Sequence, residues 1–191
     1  MSTPRRVVVA ITGASGAVYG VRALELLRDV GAIETHLVLS NPAKTTIGVE
    51  TDVSVGEVEE LADHVHGSRD IGAPIASGSF RTEGMIVAPC SIKTLSAVAT
   101  SFSSDLVARA ADVTLKERRP LVLMVRETPF HLGHLRLMER VTEAGAIVYP
   151  PVPAFYNKPT SLADVVTHSV GRALEHLGVT VDGLSRWGES D

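Results

Sequence analysis

The chain has 191 residues, a formal net charge of −4 at pH 7 and one cysteine. Its length suits one domain with a substantial core, and the negative charge favours neither nucleic acid nor an anionic membrane surface as a partner. The apolar runs are far shorter than the roughly 20 residues of a membrane span, and the first residues show no signal-peptide pattern. A single cysteine excludes an internal disulfide. We expect one cytoplasmic domain, 1–191, with residues 179–191 as a C-terminal tail.

Apolar runs alternate with segments of helical periodicity along the chain. The predicted strands are 5–11, 34–40, 84–90, 120–125 and 146–151, and the predicted helices are 17–31, 54–65, 91–100, 103–119, 131–145 and 161–178. Because the strands are apolar throughout, both faces of their sheet should be covered. The pattern predicts one doubly wound parallel α/β sheet, a Rossmann- or flavodoxin-like three-layer sandwich. Residues 66–82 and the tail are expected to be loosely packed.

The first predicted strand ends in TGASG, residues 12–16. Backbone amides of a glycine turn at a helix N-terminus can bind a phosphate, although this spacing is neither GxGxxG nor that of a P-loop. A tight turn with no ligand is the alternative. The second strand ends at Ser40 without an acidic residue for a ribose diol, which counts against NAD.

The strand 84–90 ends in APCSIKT, where Ser91 and Thr94 offer hydroxyl groups at the start of a helix. Parallel sheets bind ligands at the carboxyl ends of their strands, so two such ends facing one crevice suggest a single ligand such as FMN. Cys90 could be a nucleophile activated by the helix N-terminus. Since no histidine lies nearby in sequence, a small buried residue is the favoured interpretation.

Charged residues mark two further places. Arg109 and Lys116 lie two turns apart on one helix face, where a solvated face is the simpler interpretation. Arg126 and Glu127 end a buried strand, a position where active-site residues are found in such sheets.

The histidines show no metal-ligand spacing. His131 and His134 share a helix face without a recognisable third ligand. His64 and His66 are expected to be solvated near a helix end. The sequence therefore predicts no metal site.

Seven segments resemble the UbiX-type family of flavin prenyltransferases, over about residues 6–189. They are TGASGAVYG, ETD, ASGSF, MIVAPCSIKTLSAVAT, RAADVTLKERRPLVLMVRETP, GAIVYPPVPAFYNKP and RWGE, of which the fifth is the most specific. The likeness is greatest to the small B subunit of hydroxyarylic acid decarboxylases. It implies a dodecamer that binds FMN and transfers a dimethylallyl group from dimethylallyl monophosphate to N5 and C6 of reduced FMN. The prenylated FMN would serve a UbiD-type decarboxylase.

The resemblance also implies a set of site residues. FMN would be held by Gly13, Ala14, Ser15, Ser40, Ser91, Ile92, Lys93, Thr94 and Arg126. The prenyl phosphate would be surrounded by Arg109, Lys116, Arg126, Glu127, Tyr156 and Arg172. Cations would stabilise the departing phosphate without a magnesium ion, with Lys116 acting in catalysis and Glu127 passing a proton to it. Ser15, Glu50 or the released phosphate would be the base for ring closure.

One departure and two alternatives accompany the resemblance. Ile71 stands where the better-known branch has a tryptophan, so Tyr156 or Trp187 would supply a π contact to an allylic cation. A non-catalytic FMN-binding accessory subunit is disfavoured because it would not need a phosphate cage. A peptidyl-cysteine decarboxylase is disfavoured because the matching region has only His36, inside a strand. The sequence leaves open whether the donor is a monophosphate or a diphosphate.

Overall fold

The computed structural model describes residues 4–188. Its strands are β1 Arg5–Ile11, β2 Ile33–Leu39, β3 His64–His66, β4 Gly84–Cys90, β5 Leu121–Val125 and β6 Ile147–Val148. Its α-helices are α1 Ala17–Val30, α2 Asn41–Glu50, α3 Val55–Glu59, α4 Ile92–Ala99, α5 Leu106–Lys116, α6 Leu132–Glu143 and α7 Leu162–Glu175. A 3₁₀ turn covers Pro74–Ala76.

The six strands form one parallel sheet in the order β3-β2-β1-β4-β5-β6. This confirms the predicted doubly wound α/β architecture. The order matches the Rossmann arrangement, whereas flavodoxin itself follows the order 2-1-3-4-5. The chain turns back from one half of the sheet to the other between β1 and β4, which creates a crevice at the carboxyl ends of these strands.

Both faces of the sheet carry a hydrophobic core. Alternate residues of β1 show the division, since Val7 and Val9 pack against α1, α2, α3 and α7 on one face. Val8 and Ala10 pack against α4, α5 and α6 on the other face. The strands therefore read as continuous apolar runs because successive side chains point to opposite, equally buried faces.

Helix α1 lies unusually close to the sheet at Gly20. A Cβ at this position would lie 2.6 Å from Ile11 side-chain atoms and would also collide with the carbonyl oxygen of Ala88. The helix ends, as predicted, at Gly31, whose φ of 68° is in the left-handed region. The absent side chain at Gly20 thus positions the start of α1 at the β1–β4 crevice.

The sequence prediction was wrong in the region between β2 and β4. Helix α2 was missed because only Ala43 and Ile47 are buried along it, which leaves no apolar stripe. The predicted helix 54–65 begins with the expected capping box but ends at Glu59, and His64 and His66 belong to a strand instead of a helix end. Strand β6 is also only two residues long.

Residues 66–82 are better packed than expected. Ile75 is buried, and Arg119 donates hydrogen bonds to the carbonyl oxygens of Gly78 and Phe80, each at 2.8 Å. The start of the predicted tail is also anchored, because Val179 and Val181 belong to the core. Within residues 4–188, the helices are all too short or too polar to cross a membrane.

Candidate functional site

Thr12 joins the ends of β1 and β4 at the crevice. Its buried hydroxyl donates to the carbonyl oxygen of Pro89 at 2.7 Å and accepts from the amide of Ser91 at 2.9 Å. Thr12 is not among the residues predicted from the sequence to form the site. Its position directly before the glycine turn is the feature of the sequence that could have indicated a role at the crevice. Thr12 holds the glycine turn and the start of α4 at a set separation.

Contacts within the chain itself shape the glycine turn at residues 13–16. A Cβ at Gly13 would collide with Pro42 at the start of α2, and Gly16 has a φ of 99°, in the left-handed region. The amides of Gly16 and Ala17 donate to Oε2 of Glu50, at 2.7 and 3.1 Å. The protein's own carboxylate therefore occupies the anion position at the α1 N-terminus, where a phosphate was one possibility.

Glu50 is held in its charged form. Burial acts to raise the pKa of Glu50, but hydrogen bonds from the Ser15 side chain and from the amides of Gly16 and Ala17 outweigh it. With the nearby charge of Arg126, they leave the pKa below its ordinary value. The structure thus brings the predicted Ser15, Glu50 and Arg126 together beside the glycine turn, with Ala14 within the same turn.

Two further helices begin at this edge of the sheet with hydroxyl caps. Ser40 caps α2 by accepting from the amide of Ala43, and Ser91 caps α4 by accepting from the amide of Thr94. The hydroxyl groups of Ser91 and Thr94 lie 3.2 Å apart. First-turn amides of a helix have no intrahelical acceptor, so those of Ile92 and Lys93 can bind an anion together with these hydroxyls. This donor set fits the phosphate of FMN better than the α1 N-terminus does.

The Lys93 side chain lies near the start of α5. It is largely exposed, and its Nζ lies 4.0 Å from a carboxylate oxygen of Asp105. The backbone amide of Lys93, in the first turn of α4, is therefore the part of this residue that the predicted FMN site would use.

A cavity of about 260 Å³ opens where β5 ends. Arg126 and Glu127 supply its charged groups, and the amide of Arg126 is tied to the β4 end through the carbonyl oxygen of Cys90 at 3.1 Å. Most of the remaining lining is apolar or aromatic, from Tyr19, Val125, Phe130, Pro150, Pro151 and Val152. An apolar wall with one cation and one carboxylate suits a small molecule with an apolar part and a charged group, which is compatible with the prenyl phosphate that the resemblance implies.

Arg109 and Lys116 lie along α5, away from this cavity. Asp105, next to Lys93, begins α5 at the carboxyl edge of the sheet, and Lys116 follows at the far end of a helix of about 16 Å. There Lys116 pairs with Glu117 and lies close to Gly78. Arg109 donates to the carbonyl oxygen of Ala76 at 3.2 Å and pairs with Asp112. One chain therefore does not bring Lys116 to Glu127.

Tyr156 lies beside α7 and contacts the turn of this helix that precedes Arg172. The Tyr156 hydroxyl lies 3.2 Å from Nε2 of His168, one helical turn before Arg172. Arg172 pairs with Glu175, which also accepts from Arg186 at 2.8 Å. The sixteen-residue separation noted in the sequence thus corresponds to a shared location.

Tyr156 and Trp187, the two candidates for the π contact that Ile71 does not supply, contact each other. The Tyr156 and Trp187 rings meet edge to face with centroids 5.6 Å apart. Trp187 is 82% exposed and Ile71 is 68% exposed. Tyr156 and Trp187 therefore form one exposed aromatic group on the surface of the chain.

Cys90 is a buried structural residue. Burial raises the pKa of its thiol to about 12, although its carbonyl oxygen lies at the crevice. This supports the interpretation that was favoured from the sequence over a nucleophilic role.

Comparisons with known proteins agree with this fold. A family model described as flavoprotein matches residues 1–173. A flavin prenyltransferase UbiX from Escherichia coli strain K12 is 58% identical over 185 residues, 96% of this chain and 98% of the relative. A solved structure of AnUbiX (PadA1) in complex with FMN and dimethylallyl pyrophosphate has 51% identity and a TM-score of 0.96, covering 99% and 100% of the two chains.

A second solved structure, a dodecameric FMN-dependent UbiX-like decarboxylase from Escherichia coli O157:H7, has 47% identity and a TM-score of 0.94, covering 96% and 100%. The fold and the β1–β4 crevice define a flavoprotein. The chain belongs to the UbiX family of flavin prenyltransferases.

Proposed function

We propose that this enzyme transfers a dimethylallyl group from dimethylallyl monophosphate to N5 and then C6 of reduced FMN. The observation that carries the proposal is the cavity at the end of β5, where an apolar wall meets Arg126 and Glu127. The 58% identity to a flavin prenyltransferase supports it. The prenylated FMN would serve a UbiD-type aromatic acid decarboxylase.

Residues at the ends of β2 and β4 bind the flavin phosphate. Ser91 and Thr94, with the amides of Ile92 and Lys93, form the main anion site, and Ser40 lies at the neighbouring helix start. Bound reduced FMN supplies nucleophilic N5 and C6 atoms. The glycine turn at Gly13 and Ala14 lets the backbone approach the flavin, and Arg126 lies close to the same turn.

Arg126 and Glu127 act on the prenyl phosphate. The C–O bond of the donor breaks as the allylic carbon bonds to N5, and the phosphate leaves with the electron pair. Arg126 would stabilise the charge that develops on the phosphate oxygens, Glu127 in its protonated form would give the phosphate a proton, and the phosphate would also take the proton that N5 loses on alkylation. The exposed Glu127 carboxyl group accepts a hydrogen bond from the amide of Thr128 at 3.0 Å, which orients it at the cavity.

Ser15 and Glu50 would serve ring closure. In this step C6 would bond to the tertiary carbon of the prenyl double bond, the neighbouring alkene carbon would gain a proton from the released phosphate, and C6 would lose its own proton. Glu50 remains charged because its pKa is lowered, so it is a weak proton acceptor by itself. It polarises the Ser15 hydroxyl, and the released phosphate is the final proton acceptor.

A second copy of the chain completes the phosphate cage. Lys116 lies at the opposite end of α5 from the carboxyl edge, so Arg109 and Lys116 of one copy would face Arg126 and Glu127 of another. The pair Tyr156–Arg172 adds a hydroxyl and a cation. A dodecamer, the assembly of a relative with 47% identity, offers such contacts.

Four further points remain part of the proposal. The chain forms one domain with a short tail after residue 178. It works in the cytoplasm, which the single cysteine and the need for reduced flavin favour. It requires no metal ion for transfer. It serves as the small B component of a hydroxyarylic acid decarboxylase system.

Anaerobic incubation with reduced FMN and either dimethylallyl monophosphate or diphosphate tests the proposal. Mass spectrometry of the extracted flavin should show the mass of one added isoprenyl unit with the monophosphate. Product only with the diphosphate would correct the donor. Unmodified, tightly bound FMN with both donors would favour the accessory-subunit alternative.

A further inference from the structure

Three histidines and one glutamate meet on one face of the sheet at its β2–β3 edge. His36 of β2 lies directly opposite His64 of β3 in the parallel register. Glu34 and His66 lie two residues from His36 and His64 along their strands, so all four side chains project from the same face. We call this group the edge cluster.

The ligand atoms of the edge cluster are close enough to bind one ion. Oε1 of Glu34 lies 3.0 Å from Nε2 of His36 and 3.8 Å from Nε2 of His64, and the three ligand atoms all lie within 4.8 Å of one another. A tetrahedral zinc ion with bonds of about 2.1 Å separates its ligand atoms by about 3.4 Å. Small side-chain rotations would therefore close the set around an ion.

The remaining nitrogen of His36 already has the partner that a metal-bound histidine needs. Nδ1 of His36 lies 2.9 Å from Nε2 of His66. When Nδ1–H of His36 donates to Nε2 of His66, the unprotonated Nε2 of His36 faces the Glu34 carboxylate. The lone pair of Nε2 and the carboxylate repel each other, so a proton or a cation between them is needed to make this contact favourable. Such a hydrogen bond orients the ring and selects the metal-binding tautomer.

Neighbouring groups hold the cluster in place and leave it accessible. Arg6 donates to Oε1 of Glu34 at 2.7 Å, and its guanidinium packs 4.5 Å from the centre of the Phe80 ring. Arg6, His36 and His64 all lie closest to the same oxygen, Oε1 of Glu34. Because a carboxylate has two oxygens, a rotation of the Glu34 carboxylate would keep Arg6 on one oxygen and present the other to an ion. His36 is buried, whereas the His64 side chain is 52% exposed and opens the site to solvent.

We propose that Glu34, His36 and His64 bind a divalent transition-metal ion, zinc in the first place, with His66 orienting His36. Two imidazoles and one carboxylate are ligands that zinc prefers, and an exposed fourth position can hold water. The ion would link the three-residue strand β3 to β2. Glu34 lies five residues before the end of β2, so the site is structural and separate from the crevice at the carboxyl ends.

Zinc binding to the tag-free, chelator-treated protein tests this proposal by titration calorimetry. We expect one zinc ion per chain and a rise in Tm of roughly 5–10 °C at a hundredfold excess of free zinc over Kd. Cobalt should give the visible absorption bands of a four-coordinate site. His66→Gln should weaken affinity roughly 10- to 100-fold, and His64→Ala should weaken it more.

His131→Ala is the matched control, because His131 and His134 form a second close histidine pair with ring centroids 3.6 Å apart. Its zinc binding should equal that of the unchanged protein. The proposal would be overturned if the unchanged protein bound no zinc, or if His64→Ala bound zinc as tightly as the unchanged protein. It would also be overturned if His131→Ala lost zinc binding while His64→Ala kept it. The readout is independent of prenyl transfer, which should proceed unchanged after chelator treatment.

Discussion

The carboxylate of Glu50, the last residue of α2, accepts a hydrogen bond of 2.7 Å from the amide of Gly16 at the start of α1. It accepts a second from Ala17 at 3.1 Å. Glu50 thus caps α1 from a distant part of the chain and places a negative charge at the positive end of that helix. The same carboxylate holds Ser15, so one side chain links helix stability to the proposed flavin site.

Replacing Glu50 with Gln should lower the free energy of unfolding by about 1 kcal/mol at neutral pH, because a charged cap is lost. The pKa of Glu50 is lower in the folded protein than its ordinary value of 4.5. Its stabilisation is therefore complete above that value and disappears as pH falls through the folded pKa. Urea unfolding at pH 7 and pH 3.5 should show a smaller difference between the two proteins at pH 3.5 than at pH 7, because the lowered pKa of Glu50 is approached as the pH falls. Glu139→Gln, an exposed mid-helix change, is the control, and an equal difference at both pH values would contradict the assignment.

Two helix glycines should respond oppositely to alanine. Gly20→Ala should lower the free energy of unfolding by roughly 1–3 kcal/mol, because the new Cβ would meet Ile11 and the carbonyl oxygen of Ala88. Gly48→Ala should raise it by about 0.5–1 kcal/mol, since Gly48 is inside α2 with open space around it. Denaturant unfolding of both variants measures this. Equal effects would mean that α1 does not approach the sheet as closely as the structure shows.

Glu127→Gln and Lys116→Ala should each retain FMN and lose turnover by roughly 10²-fold or more. If Lys116 and Glu127 of one site come from different copies, oligomers mixed from the two inactive variants should recover activity. Random pairing would restore roughly a quarter of the sites. The anaerobic assay after co-refolding or co-expression measures this recovery. If the mixed oligomers stayed inactive, Lys116 and Glu127 would not act together in a site formed by two copies of the chain.

The thiol of Cys90 should resist modification in the folded protein. Its pKa is raised to about 12 by complete burial, so the thiolate is scarce at pH 8 and a reagent cannot reach the sulfur. Labelling with a thiol reagent should be slow in buffer and rapid in urea, where the residue is exposed. Cys90→Ala should retain prenyl transfer. Rapid labelling of the native enzyme, or loss of activity in Cys90→Ala with FMN still bound, would restore the nucleophile interpretation.

The sequence carried enough local signal to predict the sheet and many of its helices. Continuous apolar runs such as 84–90 indicate strands buried on both faces, and helical periodicity with caps such as Ser54 and Gly31 marks the helices between them. The same local rules failed for α2, which lacks an apolar stripe, and for β3, whose residues His64–His66 pair only at the sheet edge. Family resemblance, with its specific segment around residues 109–129, indicated the reaction class.

Only the tertiary structure decided which residues meet. It placed the carboxylate of Glu50 on the glycine turn, joined β1 to β4 through Thr12, and separated Lys116 from Glu127 at opposite ends of the sheet. It also brought His36 opposite His64, 28 positions apart in a sequence that suggested no metal site. The physical reason is that strand and helix signals depend on neighbours within a few residues. A site depends on strand order, register and packing, which are set by burial across the whole chain.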